Sequence, residues 1–150
     1  MAAPLDLETL KTLPIFKDLT PGELAAITPL FFEKSYTPNS TLFVEGMVGE
    51  ILYIIKKGSV QLLKKGSNGQ EFPLATLKEG EILGEMSLID NRPRTATAKV
   101  AEETVLLVMT KKPFTALLEK HPAIALKILL VFLKIANERL RRANESIKQV

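Results

Sequence analysis

Residues 84–100 read GEMSLIDNRPRTATAKV, with a carboxylate directly after a glycine and, nine positions beyond Glu85, an arginine set between proline and threonine. Upstream, Glu81-Ile82-Leu83 has the apolar character of a strand running into Gly84, and Glu85 to Ile89 can form a short helical turn. A helix that starts after a glycine offers unpaired N–H groups and the positive end of the peptide dipoles, which suits an anion. Arg94 adds a planar fork of donors that can clamp a phosphate through two parallel bonds, a geometry lysine does not reproduce. Glu85 would repel that phosphate unless it met another part of the same ligand, and a ribose hydroxyl is a donor that a carboxylate accepts well. Phosphate and sugar held side by side describe a nucleotide in which the two are fused. On spacing alone, a plain salt bridge between Glu85 and Arg94 across a strand stays open as the alternative.

Around this stretch the chain changes texture twice. At the start, Asp6 or Thr9 can cap a short first turn, and Thr20-Pro21-Gly22-Glu23 has the order of a capping box, with proline at the first helical position. A helix to roughly Leu30 should follow. From Phe31 to Thr110 the sequence breaks into short β-type runs: Leu42 to Val44, Ile51 to Ile55, Val60 to Leu63, Phe72 to Ala75, Thr95 to Val100 and Val105 to Met109. Gly46, Gly58, Gly66, Gly69 and Gly80 punctuate them. Asn68-Gly69 reads as a tight two-residue hairpin turn, since both residues tolerate positive φ. Many short strands at close spacing predict a mainly β fold, an antiparallel roll of jelly-roll type flanked by helices. One domain is expected over residues 1–150, helical at 1–30, β-roll at 31–110 and helical again at 111–148.

In the last segment the period becomes helical. Pro113 is expected to open a helix that ends near Lys120, and His121-Pro122 to break it before a long final helix. Along that helix Leu126, Leu129, Leu133, Ala136, Leu140, Ala143 and Ile147 alternate in steps of three and four, a heptad seam. A second apolar stripe, Ile128, Val131, Phe132 and Ile135, occupies only the first half. The early turns therefore have two faces to bury and the later ones a single face, flanked by Glu138, Arg139, Arg141, Arg142 and Glu145. The simplest partner for that single face is the same helix of a second subunit, giving a two-fold homodimer; packing of the whole seam on its own roll is the alternative. A surface stripe of period 3.6 would drift where this one does not.

Composition removes several function classes. A chain of 150 residues is large enough to bury roughly two-thirds of its unfolded surface. With no cysteine, disulfides, iron–sulfur clusters and thiolate catalysis are excluded, and with one histidine, His121, no metal site of the usual kind is expected. No Walker A loop, nucleophile elbow or paired catalytic histidine is present, so no enzyme is expected. The formal net charge of +3 is uneven: residues 111–150 hold nine Lys/Arg against three Asp/Glu, leaving eleven against fourteen for the rest. The N-terminal MAAPLDLETL lacks the pattern of a signal peptide, and the most apolar run, Pro122 to Ala136, is too short and too charged to span a bilayer. A cytoplasmic location is expected.

Taken with the strands before it, the opening stretch resembles the phosphate-binding cassette of the cyclic-nucleotide-binding domain family. That family includes the catabolite activator protein, the regulatory subunits of cyclic-nucleotide-dependent kinases and the domains that gate cyclic-nucleotide-regulated channels. Phe43 to Gly46, Tyr53 to Val60, Leu74 to Glu81 and the run to His121-Pro122 extend the likeness over about residues 12–145. The resemblance implies a β-roll that binds cAMP or cGMP without chemistry. It further implies that Glu85 accepts the ribose 2′-hydroxyl, that Arg94 holds the exocyclic phosphate oxygens, and that backbone N–H groups near Gly84, Met86 and Ser87 complete the cradle. Thr95 falls where the family places a hydroxyl near phosphate and purine. By the same likeness the C-terminal helix serves as a lid over the base, with Phe132, Ile135 and Arg139 as its candidate residues. The sequence departs at Leu83, a position often Phe, and at Ala98, a position often Val.

For output, the family's transcription factors append a helix-turn-helix domain, which has no counterpart in these 150 residues. The arginines of the final helix flank a seam, and no second helix is available to enter a groove. The chain is therefore expected to be a stand-alone sensor signalling through a downstream protein, Met1 leaning toward that reading, or a piece of a longer transcription factor, channel or kinase. A member that keeps the roll but binds no nucleotide and serves as a protein-interaction module is the further alternative.

Overall fold

Helix formation at the N-terminus follows the caps. In the computed structural model, which describes residues 3–85 and 89–148, Asp6 accepts the Thr9 N–H at 2.9 Å and starts α1 (Leu7–Lys11). Thr20 forms the full capping box: its hydroxyl accepts the Glu23 N–H at 3.2 Å and the Glu23 carboxylate accepts the Thr20 N–H at 2.9 Å. The helix it opens, α2 (Pro21–Ile27), tightens into a 3-10 turn that ends at Leu30.

Beyond it lie the strands of an antiparallel roll. The segment Ala3–Pro4 is β1, and Phe32–Tyr36, Thr41–Phe43 and Ile51–Lys57 are β2, β3 and β4. They continue with β5 (Val60–Lys65), β6 (Glu71–Leu77), β7 (Ile82–Leu83), β8 (Thr97–Val100) and β9 (Thr104–Thr110). One sheet has the order β1-β2-β9-β4-β7 and the other β3-β8-β5-β6. A mainly β roll flanked by helices is thus the observed architecture. Two strands depart from the sequence expectation. β1 lies inside the stretch expected to be helical, paired through Ala3 with Glu33; two residues are too few to carry a period of their own. β2 was not foreseen as a discrete strand, because Glu33, Lys34 and Ser35 interrupt its apolar pattern; its register against β9, Phe32 opposite Val108, fixes it.

The core lies between the sheets. Tyr53, Ile55, Val60, Leu77, Leu83, Ala98, Leu106 and Val108 form one buried cluster, with Phe32, Tyr36, Leu42, Phe43, Ile51 and Leu62 packed against it. Strand β4 also buries Leu52 and Ile54, which point to its other face. Burial on both faces is why residues 51–55 read as an unbroken apolar run rather than an alternating one. The hairpin between β5 and β6 corrects the expected two-residue turn. Gly66 N–H donates to the Gln70 carbonyl at 2.8 Å and Gly69 N–H to the Gly66 carbonyl at 3.0 Å, so the loop takes five residues. Only Gly69 takes positive φ (81°), while Asn68 uses its side chain to accept the Gln70 N–H at 3.1 Å.

The chain divides into two compact units, Met1–Phe114 and Thr115–Val150. Helix α3 (Lys111–Lys120) crosses that boundary and begins two residues before the expected Pro113. It ends where His121 N–H donates to the Leu117 carbonyl at 2.7 Å, and α4 (Pro122–Lys148) starts with proline at its first position. On α4, Leu126, Leu133 and Leu140 are exposed by 57%, 64% and 60%, Ala143 is exposed, and Leu129 and Ala136 are half-buried. The Ile147 side chain lies outside the described residues. Among the described residues no helix is long and apolar enough to cross a membrane.

Candidate functional site

Three segments of the roll converge on Arg94. The first is the end of β7, where Gly84 takes φ +78°, a conformation that costs glycine nothing and strains other residues. A Cβ at Gly84 would stand 2.6 Å from Arg94 Nη1 and 2.6 Å from the Ile51 carbonyl oxygen. The second is the loop that leads into β4, where a Cβ at Gly49 would stand 2.6 Å from Arg94 Nη2 and 2.9 Å from Nε. Two glycines thus make the space in which the guanidinium lies. The third is the strip before β8 that carries Arg94 itself. Its N–H donates to the Met47 carbonyl at 2.8 Å and its carbonyl accepts the Gly46 N–H at 2.9 Å, so the main chain is held from both sides.

The side chain has fixed neighbours as well. Nη2 donates to the Ile51 carbonyl at 3.1 Å, and the guanidinium carbon sits 4.2 Å from the centre of the Phe43 ring, a cation–π contact. Phe43 in turn stacks on Tyr53 with ring centres 6.4 Å apart. Arg94 is only 9% exposed, and its Nε is buried with no hydrogen-bond partner among the described residues. An unsatisfied buried donor costs about 1–3 kcal/mol, more on a charged group, and such groups in folded proteins ask for an explanation.

Electrostatics point the same way. Burial pulls the Arg94 guanidinium below its ordinary range, and electrostatic interaction with Tyr53, where its phenol is ionised, and with Glu85 opposes that pull. Glu85 is itself buried, at 8% exposure. Burial, with Tyr36 nearby, pushes the Tyr53 phenol up to about 12, so it stays neutral across the physiological range. The site therefore holds a buried cation, a buried carboxylate that acts on it, and a donor with no partner among the described residues. The coupling of Glu85 to Arg94 is what an ion pair would give. The Nε beside Gly49, with no hydrogen-bond partner among the described residues, is what an ion pair alone does not require, and it suits an incoming anion.

Of the residues singled out from sequence, Gly84, Glu85 and Arg94 are brought together. Thr95 is exposed, with its carbonyl accepting Lys64 Nζ at 2.9 Å. Met86 and Ser87 lie outside the described residues. Phe132 is buried and Ile135 and Arg139 are half-buried on α4, in the second unit. Sequence reasoning missed Gly49, Phe43 and the Ile51 carbonyl as parts of the site. The only signal for them was the pair Gly46 and Gly49, set three residues apart just before an apolar strand. Among the described residues no group of three or more acidic or histidine side chains is placed to hold a metal ion.

Residues 33–121 match the family model of the cyclic nucleotide-binding domain. The cyclic AMP receptor protein of Thermus thermophilus is 35% identical over 116 residues, covering 77% of this chain and 54% of that protein. The cAMP-dependent protein kinase regulatory subunit of Blastocladiella emersonii is 31% identical over 109 residues, covering 73% of this chain and 27% of that one. Among solved structures, a cyclic nucleotide-binding domain from Methylobacillus flagellatus superposes with a TM-score of 0.83 at 27% identity, covering 94% of this chain and 79% of the other. The chain spans about half the length of the bacterial receptor and about a quarter of the kinase subunit.

Proposed function

The chain belongs to the cyclic nucleotide-binding domain family, and on that premise we propose that it is a non-catalytic sensor of cAMP or cGMP. Arg94 takes the exocyclic phosphate oxygens, Glu85 accepts the ribose 2′-hydroxyl, and N–H groups from Gly84, Met86 and Ser87 close the cradle. The carrying observation is the buried Arg94 Nε, without a hydrogen-bond partner among the described residues, in a guanidinium set in glycine-lined space. A bound phosphate would supply that partner and neutralise a cation which burial disfavours. The bacterial relative is named for cyclic AMP, which agrees with this ligand class.

Signal output follows from the same reading. Ligand draws residues 84–94 inward and repacks α4, with Phe132, Ile135 and Arg139 closing over the base. The shift is no larger than the ligand's differential affinity for the two arrangements. The exposed leucines of α4 form the seam of a homodimer, and a downstream protein reads its state. Titration calorimetry with cAMP, cGMP and AMP tests the core of this proposal. Tight binding of one cyclic form supports it and names the ligand; absence of binding to all three overturns it, in favour of a Glu85–Arg94 ion pair inside a protein-interaction module.

A further inference from the structure

A second set of contacts surrounds Arg94 that the nucleotide reading leaves unused, and Glu45 stands at its centre. Its N–H donates to Thr97 Oγ1 at 2.9 Å, its Oε1 accepts the Lys65 N–H at 3.0 Å, and its Oε2 lies 3.3 Å from Lys64 Nζ. Lys64 Nζ also donates to the Thr95 carbonyl at 2.9 Å. Both ends of this chain of contacts border Arg94. Thr95 follows it in sequence, and Gly46, the residue after Glu45, donates to the Arg94 carbonyl. One carboxylate and one ammonium therefore join the loop after β3, the strand β5 and the strip before β8 around a single residue.

The side chains of Lys64 and Glu45 are 41% and 26% exposed, so the pair adds little to global stability. Its effect is local. We propose that Glu45 and Lys64 are positioning residues that hold the main chain at Arg94 so that its guanidinium is preset for an anion. The inference rests on the reading of Arg94 as the group that meets the ligand. The groups facing the Glu45 carboxylate are Lys64 and Lys65 from β5, while Thr97 from β8 meets its N–H. The Lys65 N–H above all keeps the carboxyl below the usual range, so the clasp stays ionised through neutral and mildly acidic pH.

The test uses the full chain with Glu45→Ala, Glu45→Gln, Lys64→Met and the Glu45→Ala/Lys64→Met double variant, at a temperature well below melting. By calorimetry, Glu45→Ala and Lys64→Met should each weaken binding of the cyclic nucleotide by about threefold to fivefold, the scale of an exposed charge pair. The double variant should lose no more than the weaker-binding single, since the two act as a unit. Glu45→Gln retains an acceptor for the Lys65 N–H and should recover most of the affinity. The second readout needs no ligand: the NMR signal of Arg94 Nε–H, sharp in the wild type, should broaden in Glu45→Ala and Lys64→Met. A lower melting temperature with unchanged affinity and an unchanged Arg94 signal would overturn the proposal. Broadening in the variants of a wild type that binds neither cAMP nor cGMP would support positioning and sink the nucleotide reading instead.

Discussion

Gly49→Ala separates the site from the fold. Gly49 lies outside the left-handed region, so alanine brings no backbone strain there, and it stiffens the unfolded chain, which favours folding by roughly 0.4–1 kcal/mol. Against this, the new methyl would stand 2.6, 2.9 and 3.1 Å from Nη2, Nε and Cζ of Arg94. Real Cβ atoms do not approach so closely, and the neighbour that yields is the far end of the Arg94 side chain rather than backbone. The guanidinium must move, and the donors it aims at an anion move with it. Losing one or two charge-assisted bonds of about 1.5–3 kcal/mol each weakens binding by tenfold to well over a hundredfold. Calorimetry should show that loss while the melting temperature stays within a few degrees of wild type. Gly84→Ala is the contrast, because it adds positive-φ strain and a 2.6 Å clash with the Ile51 carbonyl and should lose stability as well. A Gly49→Ala protein that binds cAMP and cGMP as the wild type does would refute the placement of the anion beside Arg94.

Other perturbations extend the reasoning. Arg94→Ala should cost tenfold to more than a hundredfold in cyclic-nucleotide affinity, and Arg94→Lys should recover little of it, because an ammonium lacks the planar fork; both are read by titration. Tyr53 is held protonated to about pH 12 against an ordinary 10, so between those values the unfolded chain loses its proton first and stability falls as pH rises. Chemical denaturation of Tyr53→Phe over that window should show a shallower fall than wild type, and an equal slope would discard the assignment. Leu133→Asp and Leu140→Asp should turn a sedimenting dimer into a monomer without loss of helix content; a wild type that is monomeric at high concentration removes the seam as an interface.

How far the sequence carries depends on the reach of each contact. The caps at Asp6 and Thr20 are settled within three residues, and the sequence reads them well. Strands β4, β5 and β9 announce themselves as apolar runs because burial on one or both faces leaves a pattern. Strand β2 hides because Glu33, Lys34 and Ser35 interrupt its apolar pattern, and its place is set by pairing with β1 and with β9, the latter some seventy residues away. The site divides along the same line. Gly84, Glu85 and Arg94 fall within one short stretch and carry a motif. Phe43, Gly49 and the Ile51 carbonyl meet Arg94 only after the roll closes, from more than forty residues away. Nothing in the spacing of GEMSLIDNRPRTATAKV refers to them. The Asn68-Gly69 turn failed for a smaller reason: a side-chain bond from Asn68 completes a wider loop where the dipeptide suggested a tighter one.

The paired main-chain bonds between Arg94 and the Gly46–Met47 loop have a consequence in time. With the Arg94 main chain already fastened, no ordering at that residue precedes first contact, so on the proposed reading the anion is engaged at close to the rate of encounter and the movement of residues 84–94 and α4 follows it. What distinguishes one ligand from another is then how long it stays. On the proposed sensor reading the duration of a signal is the lifetime of a single complex, and mutations around Arg94 should shorten the message rather than delay its onset.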